Sequence, residues 1–375
     1  MTLNTLRIKE ETKEAFLEIV RLGIGKERSF AIPKSIDWNV IKSLADEQGL
    51  SAIVLDGADK LNANYSDTVS MPLQMKLEWI GEVLQNYEQR YVAYEKAIAS
   101  LAAFYHQHVF KMMVLKGYGL SLNYPKPNHR PSGDIDIWLF GKWKEADAIL
   151  SSEKGIKIDN SHHHHTVFSW QGFSVENHYN FLNVHHHKSN LEMEELLEEL
   201  GQDDSHSVEI MDATTGSAMR VYLPNANLHA LFMLRHCMSN FASTGMRLRP
   251  LLDWGFFAEK HKADIDWSWL ESQLEHFGMK KLYDIFNAIC VGDLGFDVNI
   301  FPKVQFDPQL KDRVLNDILS PEFSEIEKGG FFSRAIYKFR RWRANAWKHE
   351  LCFSEPLWSA FWSGIKSHLL KPSSI

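Results

Sequence analysis

Three cysteines are all that 375 residues contain, and they stand far apart at 237, 290 and 352. An odd number without a C-x-x-C pair excludes a disulfide framework and a cysteine-built zinc ribbon, and it fits a reducing compartment. No run of 18 or more apolar residues occurs, so no transmembrane segment is expected. The first 20 residues are charged and helical in pattern and lack the apolar centre of a signal peptide. A cytoplasmic protein is the expectation. An excess of positive charge is also missing: 41 Lys and Arg stand against 48 Asp and Glu, a net charge of −7. Proteins that grip nucleic-acid backbones are usually basic, so long DNA or RNA is a poor partner. A small molecule or a protein side chain fits better.

What is present belongs to a globular protein, with 45% hydrophobic and 24% charged residues. The length allows two or three domains with ample core. Residues 1–110 read as helical, with apolar spacing over 12–22, a helix start near Asp37 ending at Gly49, and a long polar-faced stretch over 71–105. Residues 111–223 alternate short apolar runs with loops. Strands are expected at 112–115, 134–140, 166–170, 173–178, 208–212 and 219–223, with helices at 142–152 and 191–200. From 224 the pattern turns helical again, at 228–241 behind an Asn225 or Asn227 cap, then 250–260, 267–277 and 280–294. The expected fold class is α+β: a small mixed sheet covered on one face, between an N-terminal helical module and a C-terminal helical domain.

The stretch that carries chemistry ends in Gly133-Asp134-Ile135-Asp136-Ile137. Strand side chains alternate, so Asp134 and Asp136 share one face while Ile135 and Ile137 enter the core. Adjacent like charges repel, and a divalent cation is the common remedy. Oxygen ligands on a rigid strand suit Mg²⁺ or Mn²⁺, completed by substrate phosphates. If metal is that remedy, replacing both acids by Asn should leave the fold intact or firmer. Upstream, the run 112–115 leads into Lys116-Gly117-Tyr118-Gly119, read as strand, glycine turn and helix start, where backbone N–H groups approach a phosphate closely.

Strand, glycine turn, helix, loop and Asp-x-Asp strand together resemble the nucleotidyltransferase superfamily that includes DNA polymerase beta and the aminoglycoside adenylyltransferases. Within it the chain is most similar to a poorly characterised bacterial family. The residues that carry the resemblance are Leu115-Lys116-Gly117, Tyr124, Arg130, Asp134-Ile135-Asp136-Ile137, Val175-Glu176-Asn177-His178, Leu248-Arg249-Pro250-Leu251-Leu252-Asp253 and Asp266-Trp267. It implies a metal-dependent transfer of a nucleoside monophosphate, AMP from ATP being the expected case, to a hydroxyl of a small molecule or protein. It implies Glu176 as the third carboxylate, joining Asp134 and Asp136 around two metals about 3.5–4 Å apart. Lys116, Gly117, Ser121 and Arg130 are the nucleotide-binding candidates, and His178 and Arg249 the substrate-binding ones. The superfamily's first turn is Gly-Gly or Gly-Ser; here it is Gly117-Tyr118, with Ser121 one helical turn on. Two alternatives stand beside this reading: a module that binds nucleotide without turnover, and a phosphotransferase on the same fold.

Two histidine runs remain, at 162–165 and 185–187. Contiguous histidines point in different directions, whereas zinc needs convergent ligands. The expectation is a polar loop at the strand edge, one of whose imidazoles touches phosphate or substrate. Between 334 and 348 the tail interleaves basic and aromatic residues. A membrane or nucleic-acid patch is possible in principle, but the acidic chain favours a helix packed by its aromatics.

Overall fold

The computed structural model describes residues 9–26, 35–64, 69–185, 187–212, 216–303, 305–321 and 331–358. Six strands form one mixed sheet in the order β3-β4-β2-β1-β6-β5. They are β1 (Met113–Val114), β2 (Ile135–Trp138), β3 (His165–Trp170), β4 (Phe173–His178), β5 (Ser207–Met211) and β6 (Ala218–Tyr222). The central strand β2 runs antiparallel to β1 and parallel to β4. All six expected strands are present; β1 and β2 are shorter than expected and the other four agree to within a residue at each end.

Helices surround the sheet: α1 (Glu10–Gly23), α2 (Trp38–Gln48), α3 (Ser51–Asn64), α4 (Leu73–Val83), α5 (Arg90–Gln107), α6 (Gly117–Ser121), α7 (Trp143–Lys154), α8 (Lys188–Gly201), α9 (Ala226–Ser243), α10 (Arg249–Lys260), α11 (Trp267–His276), α12 (Lys280–Gly292), α13 (Pro308–Leu319), α14 (Phe331–Ala344) and α15 (Ala346–Cys352). Local chemistry sets several boundaries. Asp37 caps α2 by accepting from Asn39 N and Val40 N, and Gly49 ends it with a left-handed φ of 68°. Asn225 caps α9 through Leu228 N. A single π-helical turn, Leu84–Gln89, joins α4 to α5, so the stretch expected as one long helix is one rod with a changed register.

The alternation of β2 divides the molecule. Ile135 and Ile137 enter a core with Val175 of β4, Val114 of β1 and Tyr94, Ile98 and Leu101 of α5. Trp138, on the opposite face, joins a second core with Phe181, Met193 and Leu197. That core continues through α1–α3 and α9–α13, so the N-terminal and C-terminal helices pack as one body across the divisions expected at 110 and 223. Lys13 Nζ reaches Asn316 at 3.2 Å, and the Gln48 amide binds Ile318 O at 3.2 Å and Leu248 N at 2.7 Å. The packed-helix reading of the tail holds at α15 but not along α14, where Phe339 and Ile336 are exposed. Trp347 packs edge-on against Phe241, and buried Lys348 pairs with Asp317. The side chains of Arg334 and Lys338, residue His186, and 359–370 lie outside the described residues.

One buried ion pair pins the loop ahead of β2. Arg130 forks onto Asp253 of α10, Nε to Oδ1 at 2.7 Å and Nη2 to Oδ2 at 3.0 Å, and the Tyr124 hydroxyl donates to Oδ1 at 2.7 Å. Burial opposes the charge on Asp253, but the Arg130 guanidinium outweighs it and holds the carboxyl below its ordinary range. Removing one partner of such a pair leaves the other charge buried and uncompensated. Asp253→Asn should therefore lower unfolding free energy by about 3–5 kcal/mol in urea melts. A loss under about 1 kcal/mol, the usual worth of an exposed pair, would show that the pair does not hold the loop.

Candidate active site

Register brings the acids together. β2 and β4 align Asp136 with Glu176 and Trp138 with His178. Asp134, just ahead of β2, is exposed, while Asp136 is 8% exposed and Glu176 half-buried. Ligand atoms of Asp136, Glu176 and His178 lie within 4.8 Å of one another. Asp134 stands at the rim. Burial, then the charges of Glu176 and Asp136, push its carboxyl above the ordinary range.

Two cations hold Asp136. β1 ends beside β2, with Leu115 N bonded to Asp136 O at 3.0 Å, and the chain turns so that Lys116 Nζ sits 2.8 Å from Asp136 Oδ1. From the other side His178 Nε2 lies 3.1 Å from Asp136 Oδ1 and 3.5 Å from Glu176 Oε2. His178 Nδ1 faces the Asn180 carbonyl at 3.1 Å. Both ring nitrogens thus face groups that only accept, so both carry protons. Burial opposes that charge, yet the bonds to Asp136 and Glu176 outweigh it and raise the His178 pKa. Asp136 is held well below the carboxylate range: burial works against its charge, and Lys116 and then His178 overcome it.

The turn is shaped by Gly117, at φ +40°. A Cβ there would meet the Tyr94 hydroxyl at 2.4 Å. That hydroxyl donates to Asp134 O at 2.8 Å, so the missing side chain lets α5 brace the start of β2. Across from the sheet, α9 presents Phe232, with Lys116 Nζ 5.5 Å from its ring centroid, and His236. Lys116 and then burial lower the His236 pKa to about 3. Its side chain keeps solvent access although protein surrounds it, as at a cleft wall.

Of the residues expected from sequence, Asp134, Asp136, Glu176, Lys116 and His178 converge, with Gly117 at the turn. Two others do not join them. Ser121 is buried, donates to Tyr118 O at 2.6 Å and contacts the Tyr91 hydroxyl at 3.0 Å, so its hydroxyl is structural. Arg130 was expected on phosphate, but its fork is taken up by Asp253. Arg249 is different. Its Nε is buried without a hydrogen-bond partner, and among the described residues no carboxylate lies within ion-pair distance of it. Burial and the neighbouring Arg130 lower its pKa, so an anion would be welcome there. Tyr94 and His236 escaped the sequence reading, and so did the pairing of Asp253 with Arg130, because no local spacing ties them together. Only the tertiary fold brings α5, α10 and α9 there.

Residues 34–291, more than half of the chain, match a family model described as uncharacterised nucleotidyltransferases. No curated protein and no solved structure matches the chain. Among the described residues, no helix is long and apolar enough to cross a membrane.

The two aspartates should separate under substitution. Asp136→Asn strips Lys116 and His178 of their buried partner and should cost about 3 kcal/mol, the low end for a broken buried pair because Asn keeps an accepting oxygen. Asp134→Asn should stay within about 0.5 kcal/mol of wild type, or stabilise, because it relieves repulsion at an exposed site. Urea melts in EDTA check both. Equal effects would contradict this account. The expectation that both acids can be neutralised without harm therefore fails at Asp136, whose charge the protein's own cations already balance.

The raised His178 pKa has a pH signature. Its contribution is complete below the unfolded value of about 6.5 and is lost as pH rises through the higher folded value. The depressed histidines titrate below about pH 7 in both states and do not mask it. Stability should fall from pH 7 to 9, and less steeply in His178→Gln. His129, held up against burial by Asp56, keeps part of the slope. Identical slopes in the two proteins would exclude a charged His178.

Proposed function

The chain belongs to this family of nucleotidyltransferases, and on that premise we propose that it transfers a nucleoside monophosphate from a triphosphate, ATP first among them, to a hydroxyl of a small molecule or protein. The observation that carries the reading is the register pair Asp136–Glu176 on adjacent parallel strands, with Asp134 at its rim and the Lys116 ammonium against it. The donor set fits a divalent cation, since Asp136 and Glu176 offer converging carboxylate oxygens with Asp134 at the rim. Mg²⁺ or Mn²⁺ held there would screen the triphosphate charge and acidify the acceptor hydroxyl.

The chain's own residues do the rest. Lys116, already beside Asp136, is placed to exchange that contact for a phosphate oxygen. Gly117 keeps the turn low and clear of Tyr94. Glu176, the more exposed of the two paired acids, can accept the hydroxyl proton. Arg249, whose buried Nε has no hydrogen-bond partner among the described residues, can supply a second anchor for an anionic substrate. The acceptor oxygen forms a bond to the α-phosphorus as the bond to the bridging oxygen breaks, and pyrophosphate departs with the electron pair. Catalysis of this kind is positioning and charge stabilisation. One observation favours a rival reading of nucleotide binding without turnover: Asp136 is already satisfied by two cations, which a metal must displace or share.

The test uses ATP labelled at the α- or γ-phosphate, with Mg²⁺ and a panel of hydroxyl-bearing acceptors. The expected result is transfer of the α-label with pyrophosphate release, reduced about 100-fold or more in Glu176→Gln. Transfer of the γ-label would establish a phosphotransferase instead. A Tm raised by Mg²⁺ and ATP without turnover would establish the binding module.

A further inference from the structure

The histidine run at 162–165 is not used by the proposed reaction, and the structure overturns the geometric objection to it. Contiguous imidazoles do diverge, but a third one arrives from β4. One ring nitrogen from each of His164, His165 and His178 lies within 4.8 Å of the others. The ring centroids are 4.3 Å apart for His164–His165, 5.2 Å for His165–His178 and 5.5 Å for His164–His178. We propose that these three histidines form a nitrogen-rich site for a borderline transition-metal ion of the Zn²⁺ class, distinct from the oxygen-rich carboxylate site and adjoining it.

Four observations carry this. First, Nδ1 of His164 and Nδ1 of His165 are both buried without a hydrogen-bond partner, and His165 is only 6% exposed. A buried imidazole nitrogen left unpaired is costly unless something binds it. Second, the rings are fixed by paired strands, since β3 and β4 align His165 directly with His178. Third, the ligands are braced from behind as metal-binding histidines are. His178 Nδ1 is held by Asn180 O, while Asn180 N and Tyr179 N bond the His164 carbonyl at 3.1 and 3.0 Å, tying the run to the end of β4. Fourth, a further ligand is at hand: Glu176 Oε2 lies 3.7 Å from His165 Nδ1 and 3.5 Å from His178 Nε2. Three imidazoles with a carboxylate or water in the fourth position are a donor set for zinc, whereas magnesium prefers oxygen and keeps its waters.

Binding requires one proton to leave His178 Nε2, which passes to solvent as the nitrogen turns from Asp136 to the metal. The inference does not rest on nucleotidyl transfer, and its test involves no turnover. The full-length chain is titrated with Zn²⁺ against a chromophoric chelator in the presence of excess Mg²⁺, and separately with Co²⁺ as a spectroscopic probe. Stoichiometric zinc that Mg²⁺ does not displace is expected, together with the intense visible absorption of four-coordinate Co²⁺. His164→Gln and His165→Gln should each weaken zinc binding by at least about 10–100-fold, the loss that even an outer partner of a ligand causes. Asp134→Asn should leave it unchanged. Zinc displaced by Mg²⁺, zinc retained in both histidine variants, or the weak spectrum of six-coordinate Co²⁺ would overturn the proposal. Should His165→Gln fail to fold, His164→Gln at the less buried position and the Co²⁺ spectrum of the unaltered chain decide the matter.

Discussion

A carboxylate buried in the central strand of a sheet must be neutralised by its neighbours, and Asp136 sets that condition for its whole face of the sheet. An isolated ion in such a place carries a penalty of several kcal/mol. The sheet order answers it. β2 lies between β1 and β4, so one flanking strand leads into Lys116 and the other ends in His178, and both reach the same oxygen of Asp136. A different neighbour on either side would leave the charge half-balanced. The left-handed turn at Gly117 and the Tyr94 brace follow from the same need, since they hold the turn after β1 against the start of β2, where Lys116 meets Asp136. Arg130 and Asp253 serve it at a distance, by fixing the loop that delivers β2.

This condition changes how the acidic cluster should be understood. From sequence, two carboxylates on one strand face seem to demand a metal. In the folded chain they are unlike each other. Asp136 is buried and balanced by two cations, while Asp134 is exposed and crowded by the charges of its neighbours. The repulsion that favours a metal therefore acts chiefly through Asp134 and Glu176, and the burial that fixes the geometry acts through Asp136. On the function proposed above, a triphosphate entering with its own divalent ion would bring both charges needed for an exchange: a cation for the acids and an anion for Lys116.

Much of this was legible in the sequence because it rests on short periods. Alternation over 134–137 and 173–178 places Asp136 and Glu176 on usable faces, and the caps at Asp37 and Asn225 follow from residue type. What stayed hidden depends on long-range pairing. Nothing near Arg130 announces Asp253, 123 residues later, so a fork that looked available for phosphate is closed by an α10 side chain. Ser121 looked like a displaced phosphate ligand because spacing cannot say which side of a short helix faces Tyr91. The three-part division likewise follows composition along the chain, whereas α1–α3 close the same core as α9–α13. The histidine run was set aside for the same reason: its third member lies 13 residues beyond His165, on a strand paired to it in register.

That third member gives the site its last constraint. His178 Nε2 can serve Asp136 as a proton donor or a metal as a ligand, but not both at once. The carboxylate and imidazole clusters share this one atom, and Glu176 borders both. On the two proposals above, occupancy of one would alter affinity at the other, and the coupling would be reciprocal. Its sign follows from charge. Withdrawing His178 from Asp136 leaves that carboxylate with Lys116 alone, which strengthens its pull on a hard cation. A second dication a few ångströms away repels the same ion. The sign is set by which is larger, the strengthened pull of Asp136 or the repulsion between the two ions.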